Sequence, residues 1–475
     1  MAERVLIVGG GGREMALVLA LKNSPQVEHI VVAPGSDAIA QHAKVVDIPV
    51  DDVDALLKLA QKEELNFCIV GPEQPLALGI ADIFQCEEMD IFAPSKKAAR
   101  IETSKEFAKN LMQEAQVPTA NFQVYRDYQA AIEGLEEADY PLVIKENGLK
   151  AGKGVHICQS LKEAQEVVAK LEISEQSPVI FEEFLEGFEF SLIVMAQGEK
   201  FVVLPTSQDY KAIYDGQEGP NTGGMGAVSP VPKVTSELQK ESIEKVIRPI
   251  LRTLAEKNCP FTGFLYAGLM ATKDGVKVIE FNARLGDPES EVILPLVADD
   301  LMTRIRWIYD EKIPGGFVEP TRVRDMGSAI KAISLFKAKN DAKNTSDQEA
   351  HELGNSADTS GLPPMNLNKH ELRIHEQVCL GVVLTSPGYP GKVTAYPLIP
   401  QAFFDKAKAA GLEIVHMGTE KVEDGYQAKG GRVLIIRTFA TNIFEAREKI
   451  YGFLKEEKAL IPDFHYRTDI GLAAE

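Results

Sequence analysis

Apolar runs and helical periods alternate along the first hundred residues. "RVLIVGG" reads as a buried strand, "REMALVLALKNS" as a helix, "HIVVAPG" as a strand, "VDALLKLAQKEE" as a helix and "NFCIVGPE" as a third strand. Short apolar strands alternating with helices predict a parallel sheet, because parallel neighbours need a crossover. "TSKEFAKNLMQEAQVP" (103–118) predicts one helix that stops before Pro118. A smaller mixed piece runs to about residue 187. From 188 to about 310, "FSLIVM", "KFVVLP" and "KVIEFN" read as strands among helices. Residues 338–370 are polar and poor in aliphatic side chains, which predicts a mobile surface insertion. The tail returns to strands, "CLGVVLTS" and "RVLIIRTFA", and one helix, "NIFEAREKIYGFLKE".

Composition narrows the class. A chain of 475 residues is long enough for several domains, and 45% hydrophobic with 25% charged residues is ordinary for a soluble protein. The apolar start gives way to glycines too soon for a signal peptide, and no run is long enough to span a bilayer. Cys68, Cys86, Cys158, Cys259 and Cys379 are scattered without a CxxC pair, which predicts reduced core residues in a cytoplasmic protein. A net charge of −19 argues against a nucleic-acid partner. Any anionic ligand must therefore be met by a local cluster of Lys and Arg.

Four stretches carry candidate chemistry. "VGGGGREMA" (8–16) joins a strand to a helix, so its backbone N–H groups can face an anion. A dinucleotide site or a ligand-free tight turn fits the same letters, but the second strand ends "VVAPG" without the carboxylate a dinucleotide ribose needs. "VIKENGLKAGKGVHI" (143–157) sets Lys145, Lys150 and Lys153 among glycines. That suits a triphosphate, although it is not a Walker loop and a solvated basic hairpin would read alike. In "VIFEEFLEGFEFS" (179–191) an extended backbone can meet a purine edge while Glu189 takes ribose hydroxyls; a surface acidic turn fits equally. In "KVIEFNARLGDPESE" (277–291) strand alternation puts Glu280 and Asn282 on one face, two hard oxygen ligands suited to Mg²⁺ on a nucleotide. Arg284 shares that face if the strand continues. A fifth stretch, "YDGQEGPNTGGMGAVSP" (214–230), is so rich in glycine that its ordering calls for something to close over.

Together these stretches resemble the ATP-grasp superfamily and, within it, the phosphoribosylamine–glycine ligase (glycinamide ribonucleotide synthetase) family. "GGGGRE", "GPEQPLALGI", "PLVIKENGLKAGKGV", "EEFLEGFEFS", "QDYKAIYDGQEGPNTGGMGAVSP", "IEFNARLGDPE" and "FHYRTDIG" carry the match. It is weakest over about 315–371. The resemblance implies an α/β (α+β) ATP-grasp fold with a Rossmann-like pre-ATP-grasp domain at 1–102 and a large domain at 103–122 and 188–325. It implies a small lid-like domain at 123–187 and a mixed α/β C-terminal domain at 326–475. It implies ATP-dependent ligation of glycine to 5-phosphoribosylamine through a glycyl phosphate, with Mg²⁺ or Mn²⁺, in a cytoplasmic monomer or homodimer with no nucleic-acid or membrane partner.

By position, the resemblance gives Lys105, Lys145, Gly152, Lys153 and Gly154 to the ATP phosphates. Glu182, Glu183, Phe184 and Leu185 go to adenine, Glu189 to ribose, and Glu280 and Asn282 to the metal. Arg284 and Asp287 are expected at glycine and its acyl phosphate. Gly11, Gly12, Arg13, Pro34, Gly35 and Glu73 are expected at phosphoribosylamine. Asn221, Gly223 and Gly224 belong to a segment that folds over the reacting groups, anchored by Asp209 and Lys211. Two letters depart from the family: Met15 and Tyr210 stand where it has histidine, both expected on the phosphoribosylamine and glycine side. An ATP-grasp ligase with a different acceptor, or a non-catalytic nucleotide-binding module, shares parts of this pattern. The retained Lys145, Glu280, Asn282 and Arg284 argue against the second.

Overall fold

The computed structural model describes residues 2–150, 154–310, 317–323 and 371–474. The insertion expected at 338–370 lies outside the described residues.

The opening pattern folds as a five-stranded parallel sheet in the order Lys44–Val45, Val27–Pro34, Glu3–Gly9, Phe67–Val70, Asp90–Phe92. Its central strands are buried on both faces, which is why they read as unbroken apolar runs. Strand order reverses beside Glu3–Gly9. The turns after Gly9 and after Val70 therefore flank a crevice at the carboxyl ends of the strands, the place where such sheets bind ligands. Helix Gly12–Leu21 starts there. Its first turn is closed by Glu14, whose Oε2 accepts from Gly11 N at 2.7 Å.

The helix expected over 103–118 is Lys105–Glu114, preceded by a separate short helix, Arg100–Thr103. Ser104 is extended and its Oγ accepts from Phe107 N at 3.2 Å, an N-cap that interrupts the periodic run and starts the second helix at Lys105. A four-stranded antiparallel sheet follows, ordered Phe122–Tyr125, Val179–Glu183, Leu142–Glu146, Val155–Cys158. Helices Tyr128–Glu137 and Leu161–Val168 cover it and give it a core of its own, around Leu135, Ile144 and Phe181.

The large sheet runs Gly275–Asn282, Thr262–Thr272, Phe188–Gln197, Lys200–Val203, Phe317–Val323, Glu371–His375. The last strand falls beyond the boundary expected at 325/326. It is fastened there by Asp299, which accepts from Arg373 Nε at 2.5 Å and Arg304 Nε at 2.8 Å. The exchange runs the other way as well. Gln208–Asp209 and Gly226–Ser229 lie in the C-terminal sheet, where Gly226–Ser229 pairs antiparallel with Val378–Thr385. Arg432–Ala440 and Glu413–His416 complete that sheet.

Candidate active site

A cleft of about 500 Å³ lies where the small sheet, the large sheet, the N-terminal crevice and the C-terminal sheet meet. Its floor is Gly275–Asn282. The register with Thr262–Thr272 slips between Gly268 and Leu269, which leaves Ile279 unpaired. The freed Ile279 carbonyl accepts from Lys145 Nζ at 2.9 Å. Beyond the bulge, Glu280 and Asn282 stand opposite Gly268 and Tyr266, and both line the cleft. Burial works against the Glu280 carboxylate, but Lys211, Lys145, Lys105 and Arg284 hold its pKa below the ordinary value. The strand ends at Asn282, yet Arg284 reaches back: its Nη2 lies 3.4 Å from Asn282 Oδ1 and 2.9 Å from Glu102 Oε1.

At the small-sheet end, Lys145 and Lys109 both bind Glu182 Oε2, at 2.9 and 2.8 Å. All three side chains are buried, and Glu182 Oε1 has no hydrogen-bond partner among the described residues. Burial pushes Lys109 down to about 8 against the pull of Glu182. Lys105 Nζ donates to Gly148 O at 2.8 Å, and burial lowers its pKa as well. Gly154, Glu183, Phe184 and Leu185 line the same end. Gly152 and Lys153 lie outside the described residues. Glu189 lines the cleft beside Lys211 and forms an ion pair with it. Burial raises Asp209 to about 8, opposed by Lys211.

At the N-terminal end, Arg13 binds Glu14 Oε1 through Nε at 2.9 Å and donates from Nη1 to Leu285 O at 2.9 Å. Glu73 lies 3.4 Å from Arg284 Nε. Arg13, Glu73, Asp287, Asn221 and Gly223 line the cleft; Gly11, Gly12, Pro34, Gly35 and Gly224 do not. Pro34 ends strand Val27–Pro34, and Gly11 and Gly12 cap and start helix Gly12–Leu21. A Cβ on Gly11 would stand 3.9 Å from Asp287 Oδ2, and one on Gly12 would stand 2.3 Å from Glu291 Oε1.

Three family models match this chain: the phosphoribosylglycinamide synthetase N domain over residues 3–102, its ATP-grasp (A) domain over 103–290 and its C domain over 379–473. A phosphoribosylamine–glycine ligase of Lactococcus lactis is 36% identical over 473 residues, covering 99% of this chain and 100% of the relative. One from Halalkalibacterium halodurans is 35% identical over 485 residues, covering 99% and 97%. The chain belongs to the phosphoribosylglycinamide synthetase family. Among solved structures, phosphoribosylamine–glycine ligase from Thermotoga maritima matches with a TM-score of 0.69 at 27% identity, covering 98% of this chain and 100% of that one. As a phosphoribosylglycinamide synthetase the chain is an ATP-dependent ligase of purine biosynthesis with an ATP-grasp fold. Among the described residues no helix is long and apolar enough to cross a membrane.

The two departures from the family's letters do not reach the cleft. Met15 is 3% exposed within the core behind the N-terminal sheet, and Tyr210 is 1% exposed in the C-terminal core, so neither lines the cleft. Sequence reading also missed members of the site. Lys109 had a signal, one helical turn after Lys105 on the same face. Glu102 had none; it accepts from Ala283 N at 2.7 Å and pairs with Arg284 only once two distant segments meet. Arg432 likewise comes from a strand of the C-terminal sheet far along the chain, outside every motif read from the sequence.

Proposed function

We propose that this cleft ligates glycine to 5-phosphoribosylamine through glycyl phosphate. The observation that carries the reading is the convergence of Lys105, Lys145, Lys211 and Arg284 on Glu280, a half-buried carboxylate held below its ordinary pKa beside Asn282. Among the described residues no group of three or more His, Cys, Asp or Glu is placed to hold a metal ion. Glu280 with Asn282 instead makes a short oxygen set, which fits a cation whose other ligands are phosphates. Mg²⁺ or Mn²⁺ held there would neutralise charge on the transferring phosphate.

ATP lies between the small and large sheets. Glu182–Leu185 take adenine, with the unpartnered Glu182 Oε1 suited to an amino donor. Glu189 takes ribose, and Lys105 and Lys145 take phosphate oxygens. A glycine carboxylate oxygen, set by Arg284, attacks the γ-phosphorus and ADP leaves. The phosphoribosylamine nitrogen, brought from the Arg13 and Glu73 side, attacks the glycyl carbonyl carbon and phosphate leaves. No protein nucleophile is required. Asp209, Lys211 and Asn221–Gly224 close the site so that water does not reach the acyl phosphate.

The experiment is ADP release with each substrate omitted in turn. Full release is expected only with glycine and phosphoribosylamine together, with glycinamide ribonucleotide formed one for one. ADP release at the full rate without glycine would overturn the reading.

A further inference from the structure

Arg432 stands at the start of strand Arg432–Ala440 and lines the cleft, with a side chain only 19% exposed. One of its nitrogens makes all of its bonds among the described residues. Nη1 donates to Gly223 O at 2.6 Å and to Asp287 O at 3.0 Å, and it meets the Asp287 carboxylate at 2.8 Å. Gly223 packs closely against the guanidinium: a Cβ there would come 2.9 Å from Arg432 Cζ. The group is thus fixed in orientation. Its other edge, Nε with Nη2, has no hydrogen-bond partner among the described residues.

Arg13 presents a similar remainder. Glu14 takes its Nε and Leu285 O its Nη1, which leaves Nη2 without a bond among the described residues. The two arginines share a corner. Arg13 Nη1 donates to Leu285 O at 2.9 Å and Arg432 Nη1 to Asp287 O at 3.0 Å, two residues on, whereas Lys211 pairs with Glu189. Lys211 therefore belongs to the metal and nucleotide side, and Arg432 to the side of the Gly9–Gly12 turn. Glu291, whose Oε1 lies against Gly12, is driven by burial and by Asp287 toward its neutral form. It competes little for their free edges. A planar N–H edge fixed by its other bonds matches two oxygens of a phosphate monoester.

We propose that Arg432, together with Arg13, seats the phosphate group of phosphoribosylamine and so selects a phosphorylated amine. This rests on the ligase reading above. The test is calorimetric binding of ribose 5-phosphate, with steady-state KM values for all three substrates, in the wild type, Arg432→Gln and Arg432→Lys. Arg432→Gln should weaken ribose 5-phosphate and raise the KM for phosphoribosylamine by about tenfold or more, as loss of a charge-assisted two-oxygen contact does. The KM values for ATP and glycine should move less than about twofold, a split that a merely structural role would not produce. Arg432→Lys should recover part of the loss, since it restores charge without the planar edge. Equal ribose 5-phosphate binding in the wild type and Arg432→Gln would overturn the assignment. So would a parallel rise in all three KM values, which would make Arg432 a latch only. A wild-type enzyme that neither binds ribose 5-phosphate nor turns over phosphoribosylamine would overturn the ligase reading and this one with it.

Discussion

Gly224 holds φ at +115°, and a Cβ there would stand 2.3 Å from Pro288 Cδ, so alanine meets both a forbidden backbone region and a rigid neighbour. Gly223 has no such φ, but its Cβ would displace Arg432. Replacing both by alanine should lower ligation while ATP affinity holds, because the proposed adenine contacts, Glu182–Leu185, belong to the other end of the cleft. The variant should split ATP wastefully, and assay of ADP and glycinamide ribonucleotide from one reaction decides it. A one-to-one fall in both would mean the segment shields nothing. Glu280→Ala with Asn282→Ala should abolish turnover at saturating Mg²⁺ and leave thermal melting unchanged; near-normal rates would remove the metal assignment. His416 makes a separate prediction about stability. Its ring stacks on Phe404 with centroids 5.4 Å apart, and burial lowers its pKa from 6.5 to about 4. Between those values the unfolded chain binds the proton and the folded chain does not. Stability should thus be flat above pH 6.5 and fall by roughly 3 kcal/mol as the pH drops to 4. Denaturant unfolding of the wild type and His416→Phe across that range would show it, with the acid slope reduced in the variant.

At the scale of elements, regular strands and helices were legible because their apolar periods are local. "RVLIVGG", "KVIEFN" and "RVLIIRTFA" are the strands Glu3–Gly9, Gly275–Asn282 and Arg432–Ala440. The bulge at Ile279 was not legible, because it is a property of the pairing and not of either strand. Nor was the short hairpin Ala212–Tyr214 with Glu218–Asn221 inside the glycine-rich segment. It is held from outside. Arg467, fully buried, donates to Ala212 O and to Gln217 Oε1, both at 3.0 Å, and Thr468 N donates to Asp215 Oδ1 at 2.8 Å. The closing "FHYRTDIG" thus acts as a clamp on the hairpin. Arg467→Ala should lower unfolding stability by about 3 kcal/mol, the loss expected when one partner of a buried charged network is removed. It should also uncouple ATP cleavage from ligation. An Arg467→Ala enzyme with wild-type coupling would separate the clamp from the chemistry.

At the scale of the whole molecule, the cleft exists because four sheets meet, and that meeting was the least legible feature. Gly226–Ser229 pairs with Val378–Thr385 far along the chain, and Glu371–His375 returns to the large sheet. Such long-range pairings leave no periodic trace, so the C-terminal contribution of Arg432 stayed hidden while Lys145, Glu280 and Arg284 stood out in motifs. The account depends on one intermediate, formed when a glycine carboxylate oxygen bonds to the γ-phosphorus. The most direct measurement supplies glycine labelled with oxygen-18 in its carboxylate, together with ATP and phosphoribosylamine, and follows the label by mass spectrometry. One labelled oxygen should appear in the released phosphate and the other should remain in the amide of glycinamide ribonucleotide. Phosphate free of label would contradict activation of the carboxylate by phosphorylation.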